Sequence, residues 1–599
     1  MTDHIDRVTG GLGAPEAEAV PVVVADRSWR ALAIPTSLRM PVVLFAVTFL
    51  ARVVTALPFL APGYPDAVYY LATAREIAAG HGFTIPYIWA FVDTGGHLPA
   101  VGVLPIPSNE HWMPLASIVG VPFIWLLGPT YLASCLPFWL LSALGASITY
   151  QLGMEAGLGR RTSIAAGLLM AMPGAVAPYM SQPDNFSLFM VLGVTAMWLC
   201  VRGAAGNRIA FALGGVAVGL AMLARTDGAL LGVPFIVAFL AEQWPRWRGW
   251  VRGQRHRASA AVSSVAAART PIRIGWIAAI ACFGLFLLVM APWWIRDLQL
   301  FGSISPSSSS GRILWIRNYN DLFSVSDQTT PATFLAQGLG PLLASRIGGL
   351  GAAIIVLGTQ PLLIVLVPFM LIGAWLHRHF ADFRPWLVYG VTFFVFSALV
   401  FAVHLPYGMA LHSGMALAPH AYLLSIVGIG ASVRWVAARR PHWDVPRATR
   451  NFTVVAVGLV WAIGAVATVL LAGAWQHEAN YRTALMAQHS IPATDRLMSA
   501  DPGAYWYRWG LTGVATPNDP LPVVEKAAAL YDVRWLILEK DQLVPSLRPV
   551  LAGTMHPSWL SRPLAVVPAA PSDTGPDATL PQAALYAVCL SPGDPRCGP

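Results

Sequence analysis

Lysine is nearly missing from this chain: of 38 basic residues only Lys526 and Lys540 are lysine. Charge of either sign is scarce, at 11% of the 599 residues, against about 25% in an ordinary soluble domain. The length alone would allow three or four soluble domains, but too few polar groups remain to cover their surfaces. Free cytosolic enzymes, secreted disulfide scaffolds and disordered chains are excluded on that ground. The five cysteines, Cys135, Cys200, Cys282, Cys589 and Cys597, form no CxxC, so the usual zinc and thioredoxin-like motifs are absent. There is no GxxxxGK[ST], no HExxH, no GxSxG and no GxGxxG in a usable place after a strand. Nucleotide-driven and zinc-peptidase chemistries lose their signals with them.

What is present is apolar and long-running. Hydrophobic residues make up 56% of the chain. A bilayer core of ~30 Å needs ~20 apolar residues per helix. On that measure the sequence predicts eleven spans, near 41–60, 131–153, 162–180, 186–202, 208–224, 228–244, 274–294, 350–376, 386–403, 414–433 and 452–474. Residues 1–40 are polar and lack the apolar core of a signal peptide, so the first run is an uncleaved anchor. With the N-terminus in the cytoplasm, the inner segments hold 22 basic residues and the outer loops six, up to residue 474. Basic residues favour the cytoplasmic side, and this asymmetry predicts an outer C-terminus. The net charge of +9 is thereby read as topology. The run 246–257, with Trp244, Trp247 and Trp250 interleaved, is read as an anchor on anionic lipid, not a nucleic-acid site.

Two outer loops, 61–130 and 295–348, are too long to be simple connections. Their apolar stretches 115–127 and 332–347 are too short to cross and predict interfacial helices. The pair Gly215 and Gly219 is a weak signal for helix packing. After residue 474 the pattern changes. Arg496–Ala500 and Val533–Leu538 read as buried strands, and 522–531 as a helix between them. The expected organisation is a cytoplasmic tail 1–40, a membrane domain 41–474 and a small extracytoplasmic α/β domain 475–599. Cys589 and Cys597 fall where a disulfide is permitted.

Candidate site residues lie at the outer ends of the spans. Asp66 follows Pro65 and precedes a helical stretch, as either an N-cap or a general base at a cavity mouth. Tyr70, four residues on, shares its face. Asp184, in Gln182-Pro-Asp-Asn185, is a turn or N-cap residue or a second acid. Arg225 and Asp227 form either a snorkelling pair or part of a phosphate site. Arg296, after Trp293 and Trp294, is either an interfacial anchor or a phosphate ligand. His111 beside Glu110 is a loop hydrogen-bonding group, a shuttle or part of a metal site, and two residues rarely suffice for a metal. His412 makes an interfacial hydrogen bond or a substrate contact.

A first span followed by Asp66-x-x-Tyr69-Tyr70 and a helix ending in Gly80-x-Gly82 resembles the GT-C glycosyltransferases. The likeness is to the protein O-mannosyltransferase and aminoarabinose transferase group. Asn109–Leu115, Ala224–Gly228, Pro292–Asp297 and His412–Leu417 are similar in order and placement, over nearly the whole membrane region. Asp66 departs from the family pattern in standing alone, between Pro65 and Ala67, without an adjacent second carboxylate. The resemblance implies a multi-pass protein of a bacterial plasma membrane. It implies inverting transfer of a sugar from a polyprenyl-phosphate donor to a protein, lipid or polysaccharide acceptor on the outer face. Asp66 would be the base, Asp184 a supporting acid, and Arg225 and Arg296 the phosphate ligands. No metal or other cofactor is called for, although a divalent ion is compatible. The rivals are a flippase of lipid-linked glycans, which should show inverted repeats and mid-membrane charges, and a non-catalytic glycan-binding scaffold.

Overall fold

The computed structural model describes residues 39–256, 273–304, 313–327, 329–400, 408–440, 442–570 and 574–590. The tail to residue 38, most of the inner basic segment after His256, and Cys597 lie outside the described residues.

The protein is mainly helical, with a small sheet-containing C-terminal region. Eight described helices are long and apolar enough to cross a membrane, or nine if the bent pair Arg160–Ala171 and Gly174–Ser181 is one span. Shorter apolar helices include Arg208–Ala224 and Val367–His377. Every span expected from sequence overlaps a helix, but 350–376 overlaps two, Leu339–Thr359 and Val367–His377. The break follows Gln360-Pro361, since the residue before a proline disfavours helix. Leu363 and Ile364 then turn the chain at positive φ. The interfacial stretch expected at 332–347 is divided as well: its second half is the start of Leu339–Thr359. The stretch 115–127 does form a 13-residue helix, too short to span.

Apolar helices pack closely where side chains are small. A methyl group on Gly215 would lie 1.8 Å from the carbonyl oxygen of Cys282, so the helix Arg208–Ala224 sits directly against Trp276–Phe301. Arg52, inside the first span, is fully buried, and its guanidinium caps the carbonyls of Ala171 and Ala177 at the bend. Those carbonyls are free because the helix breaks there, which is how a cation is accommodated at that depth.

The long loop after the first span and the C-terminal region share one six-stranded sheet. Its order is β2 (Tyr87–Ile88), β5 (Gly513–Ala515), β4 (Arg496–Ser499), β6 (Val533–Glu539), β8 (Ala583–Ala587) and β7 (Ala565–Val567). The first four are parallel, with Tyr87 opposite Gly513 and Ile88 opposite Val514. β6 is buried at six of its seven positions, as expected for a central strand covered on both faces. A hairpin of β1 (Thr84–Ile85) and β3 (Ile106–Pro107) completes the first loop. That loop therefore contributes a strand to the C-terminal sheet.

The helix Val445–Gln488 runs for 44 residues, or about 65 Å at 1.5 Å per residue. Its C-terminal end reaches the sheet. Arg482 there donates to both oxygens of Glu539, at 2.9 and 2.8 Å, and pairs with Asp501 at 3.3 Å.

Candidate active site

The helix Pro65–Ala78 begins with Tyr64 at the N-cap and Pro65 in its first turn. Proline is suited there because its missing N–H would be unpaired anyway. Asp66 is thus not the cap; it sits in the first turn with its carboxylate a quarter exposed. It opens into a cavity of about 350 Å³. Five of the eight residues singled out from sequence line this cavity: Asp66, Tyr70, His111, Arg225 and His412. They arrive from the long loop after the first span, the turn after the helix Arg208–Ala224, and the helix beginning at Met409.

Asp184 and Asp227 stand immediately behind the wall. The Asp184 side chain is fully buried and lies 3.2 Å from His412 Nε2. Tyr64 donates to the same carboxylate at 2.7 Å, and the Asn185 N–H to its other oxygen. Asn185 in turn donates to the Tyr70 hydroxyl at 2.9 Å. His412 Nε2 is also 3.8 Å from Asp66, and its ring stacks on Phe186 at 3.8 Å. Arg225 donates through Nε to Asp227 and to Ser413, each at 3.1 Å. Among the described residues, its terminal nitrogens find no hydrogen-bond partner. The ion pair foreseen for Arg225 and Asp227 exists, and the cation also faces the cavity.

The two carboxylates are driven apart electrostatically. Burial and the nearby Asp184 charge push Asp66 up to about 7, against the pull of His412 and Arg225. Burial would raise Asp184 too, but His412, Tyr64 and the Asn185 N–H outweigh it and hold Asp184 below the usual range. One acid is kept ionised and the other titrates near neutrality, the pattern that separates roles in a pair of carboxylates. Burial, and then the Arg225 charge, lower His111 to about 4. His111 is therefore neutral at pH 7. Its Nδ1 and the Trp112 Nε1 are buried without a hydrogen-bond partner. Such orphaned groups are costly, and both belong to residues that line the cavity.

Asp66, Asp184 and His412 offer ligand atoms within 4.8 Å of one another. Two carboxylate oxygens and an imidazole form a donor set that fits a divalent ion such as zinc or manganese.

Arg296 stands apart. It is bound to Ser108 O at 2.7 Å, Phe83 O at 3.3 Å and Asp297 at 3.3 Å, and lies over Trp293. It does not line the cavity; it ties down the loop leading to Glu110 and His111.

Several participants were not singled out from sequence. Trp112 and Ser413 lie inside motifs that were noticed, so neighbouring residues marked them. Tyr64 is two residues before Asp66 but carries no signature of its own. Trp89 and Tyr319 also line the cavity, and no sequence pattern marks either.

Residues 122–267 match the family described as dolichyl-phosphate-mannose-protein mannosyltransferase. No curated protein sequence matches the chain. Among solved structures, ArnT from Cupriavidus metallidurans in the apo state is similar at 14% identity, over 93% of this chain and 98% of that one, with a TM-score of 0.51. The same protein bound to undecaprenyl phosphate is also similar, at 14% identity over 94% and 100%, with a TM-score of 0.49. The Archaeoglobus fulgidus oligosaccharyltransferase in the apo form follows at 13% identity, over 86% and 70%, with a TM-score of 0.47. The resemblance to GT-C glycosyltransferases read from the motifs is borne out, and so is the polytopic helical fold with a small sheet-containing C-terminal region. The family match over residues 122–267 supports glycosyl transfer as the general activity.

Proposed function

We propose that the chain is an inverting glycosyltransferase that takes a sugar from a polyprenyl phosphate and passes it to an acceptor hydroxyl. One observation carries this reading: a single cavity holds a carboxylate poised near neutrality and a guanidinium whose terminal nitrogens have no partner among the described residues. The matched family's description, with its dolichyl-phosphate mannose, fits such a donor.

In the reaction, Asp66 accepts the acceptor's proton as the acceptor oxygen bonds to the anomeric carbon. The bond from that carbon to the phosphate oxygen breaks, and polyprenyl phosphate leaves with the electron pair. A base whose pKa lies near the working pH combines sufficient ionisation with sufficient basicity. Arg225 meets the phosphate, because charge-assisted bonds to a guanidinium are strongest in a partly dry site. Its Nε is fixed by Asp227 and Ser413, which leaves the terminal nitrogens for the ligand. Neutral His111 and Trp112 can each donate one N–H. Asp184, kept ionised, orients His412 beside Asp66. Arg296 acts indirectly, by holding the loop of Ser108 to His111. The basic-residue asymmetry supports an outer-face site.

A metal-assisted variant has its own support in the close set of Asp66, Asp184 and His412. A divalent ion held by these three would supply positive charge to the phosphate. Activity lost on EDTA treatment and restored by one divalent ion would establish it.

The test is transfer by the purified full chain in nanodiscs. Undecaprenyl-phosphate sugars are supplied as donors, with an acceptor panel of glycans, lipids and peptides. Release of undecaprenyl phosphate coupled to a new glycoside is expected. Movement of the intact donor between leaflets without cleavage would instead establish the flippase.

A further inference from the structure

The cavity wall facing Asp66 and Arg225 includes Tyr319 and Leu322, from a short helical turn, Tyr319–Phe323, in the second outer loop. That turn is not held by the membrane helices alone. Its N-terminal end is closed by a reciprocal cap, in which Asn318 bonds the backbone of the turn and the Asp321 side chain returns the bond. Its C-terminal end is received by Asp519, about 195 residues away in sequence. Asp519 accepts from Ser324 Oγ at 2.7 Å, from the Val325 N–H at 2.8 Å and from the Ser326 N–H at 3.2 Å, and also from the Ser326 hydroxyl. Next to it the Asn518 N–H donates to Phe323 O at 3.1 Å. The Phe323 ring lies 5.4 Å from Trp89, which follows β2 and also lines the cavity.

Asp519 itself is 5% exposed. It sits in the connection between β5 and the helix Leu521–Leu530, at the carboxyl end of a parallel strand. Loops at that edge of a parallel sheet are a usual place for ligand-directed groups. Here the edge meets the turn, and β2 brings Trp89 to the same place through its pairing with β5. A buried carboxylate with four donors from one loop fixes that loop at both oxygens, since each bond to a charged acceptor is about twice as strong as a neutral one.

We propose that Asp519 is a positioning residue for the donor cavity: it holds the Tyr319–Phe323 turn in place, so that Tyr319 forms the wall against which the lipid-phosphate donor binds. The inference rests on the function proposed above and extends it to a residue of the C-terminal region. Asp519 contacts no substrate; it acts through Tyr319.

The test uses the full chain in nanodiscs, with undecaprenyl phosphate as the probe and its affinity measured by native mass spectrometry. Asp519→Ala is expected to weaken binding about tenfold, as is Tyr319→Ala, and the double variant no more than either alone, since a shared route is not additive. Asp519→Asn keeps an acceptor for the serines and loses the Val325 N–H, so a partial effect of about threefold is expected. Hydrogen exchange gives a second readout that a global fault would not imitate. The Val325 amide should exchange faster in both Asp519 variants, and the Ser326 amide in Asp519→Ala, while those of β4 and β6 stay slow. Unchanged affinity in both Asp519 variants, or losses that add in the double variant, would overturn the proposal. Arg225→Ala separates the two readings. If it leaves probe binding unaltered, the donor site itself is misassigned; if it weakens binding while the Asp519 variants do not, only the role of Asp519 falls.

Discussion

Two buried ionic clusters lie near the six-stranded sheet of this protein, and they are built in opposite ways. Around Glu539 every acceptor is used. One oxygen takes Arg482 Nε and the Tyr505 hydroxyl, and the other takes Arg482 Nη2 and the Tyr481 hydroxyl. Burial would raise the Glu539 pKa, but Arg482 and the two tyrosines lower it. Around Asp66 the pairing is incomplete. The carboxylate is raised instead of lowered, His111 and Trp112 keep orphaned nitrogens, and Arg225 presents unused ones. A closed cluster fastens the long helix to the sheet, whereas an open one has capacity left for a ligand. Perturbation of a pKa does not by itself separate the two; what separates them is whether the hydrogen-bonding capacity is filled.

The sharpest way to test that contrast is to remove charge from each cluster. Asp66→Asn keeps the size of the side chain and removes the base. Transfer should fall by about 10²–10⁴ with the melting temperature unchanged, in an assay on purified protein. The cap is not at stake, because Tyr64 occupies that position. Near-normal transfer by Asp66→Asn would take Asp66 out of the mechanism. Arg482→Ala should do the reverse. It leaves Glu539 buried and uncompensated at a cost of ~3–5 kcal/mol, read as a lower denaturation midpoint, while the protein that stays folded keeps its donor KM.

Next in size, Arg225→Ala should weaken donor affinity by about 10–100-fold, the value of one or two charge-assisted bonds. Raising the donor concentration should restore much of its rate, and should not restore Asp66→Asn. The smallest effect expected is that of pH. Asp66 must be ionised to accept a proton and is raised to about 7, so kcat/KM should rise with pH through that value. The gain from pH 6 to pH 8 is about tenfold for one such group. A profile flat across that window would show that Asp66 does not titrate there in the working enzyme.

The contrast also shows what was legible beforehand. Asp66, Arg225 and His412 could be picked out because each is a polar residue near the end of an apolar run, Tyr70 because it shares the helix face of Asp66, and His111 because it stands beside Glu110. Arg296 met the same criterion and went elsewhere, since a guanidinium is satisfied equally well by loop carbonyls. Tyr319 and Asp519 gave no signal, being ordinary residues in polar stretches. The apolar pattern beyond residue 474 speaks only of that region's own core and is silent about what its loop ends touch.

The sequence by itself determined the membrane-embedded helical fold, because apolar run length is a local property and the bilayer fixes the length required. It also determined the strands at Arg496–Ser499 and Val533–Glu539, whose apolar pattern is likewise local. Only the tertiary structure decided which polar residues share a cavity, that β2 pairs with β5, and that Asp519 holds a turn from the middle of the chain. Those facts depend on contacts between segments up to several hundred residues apart, and a hydrogen bond across such a separation leaves no periodicity for the sequence to show.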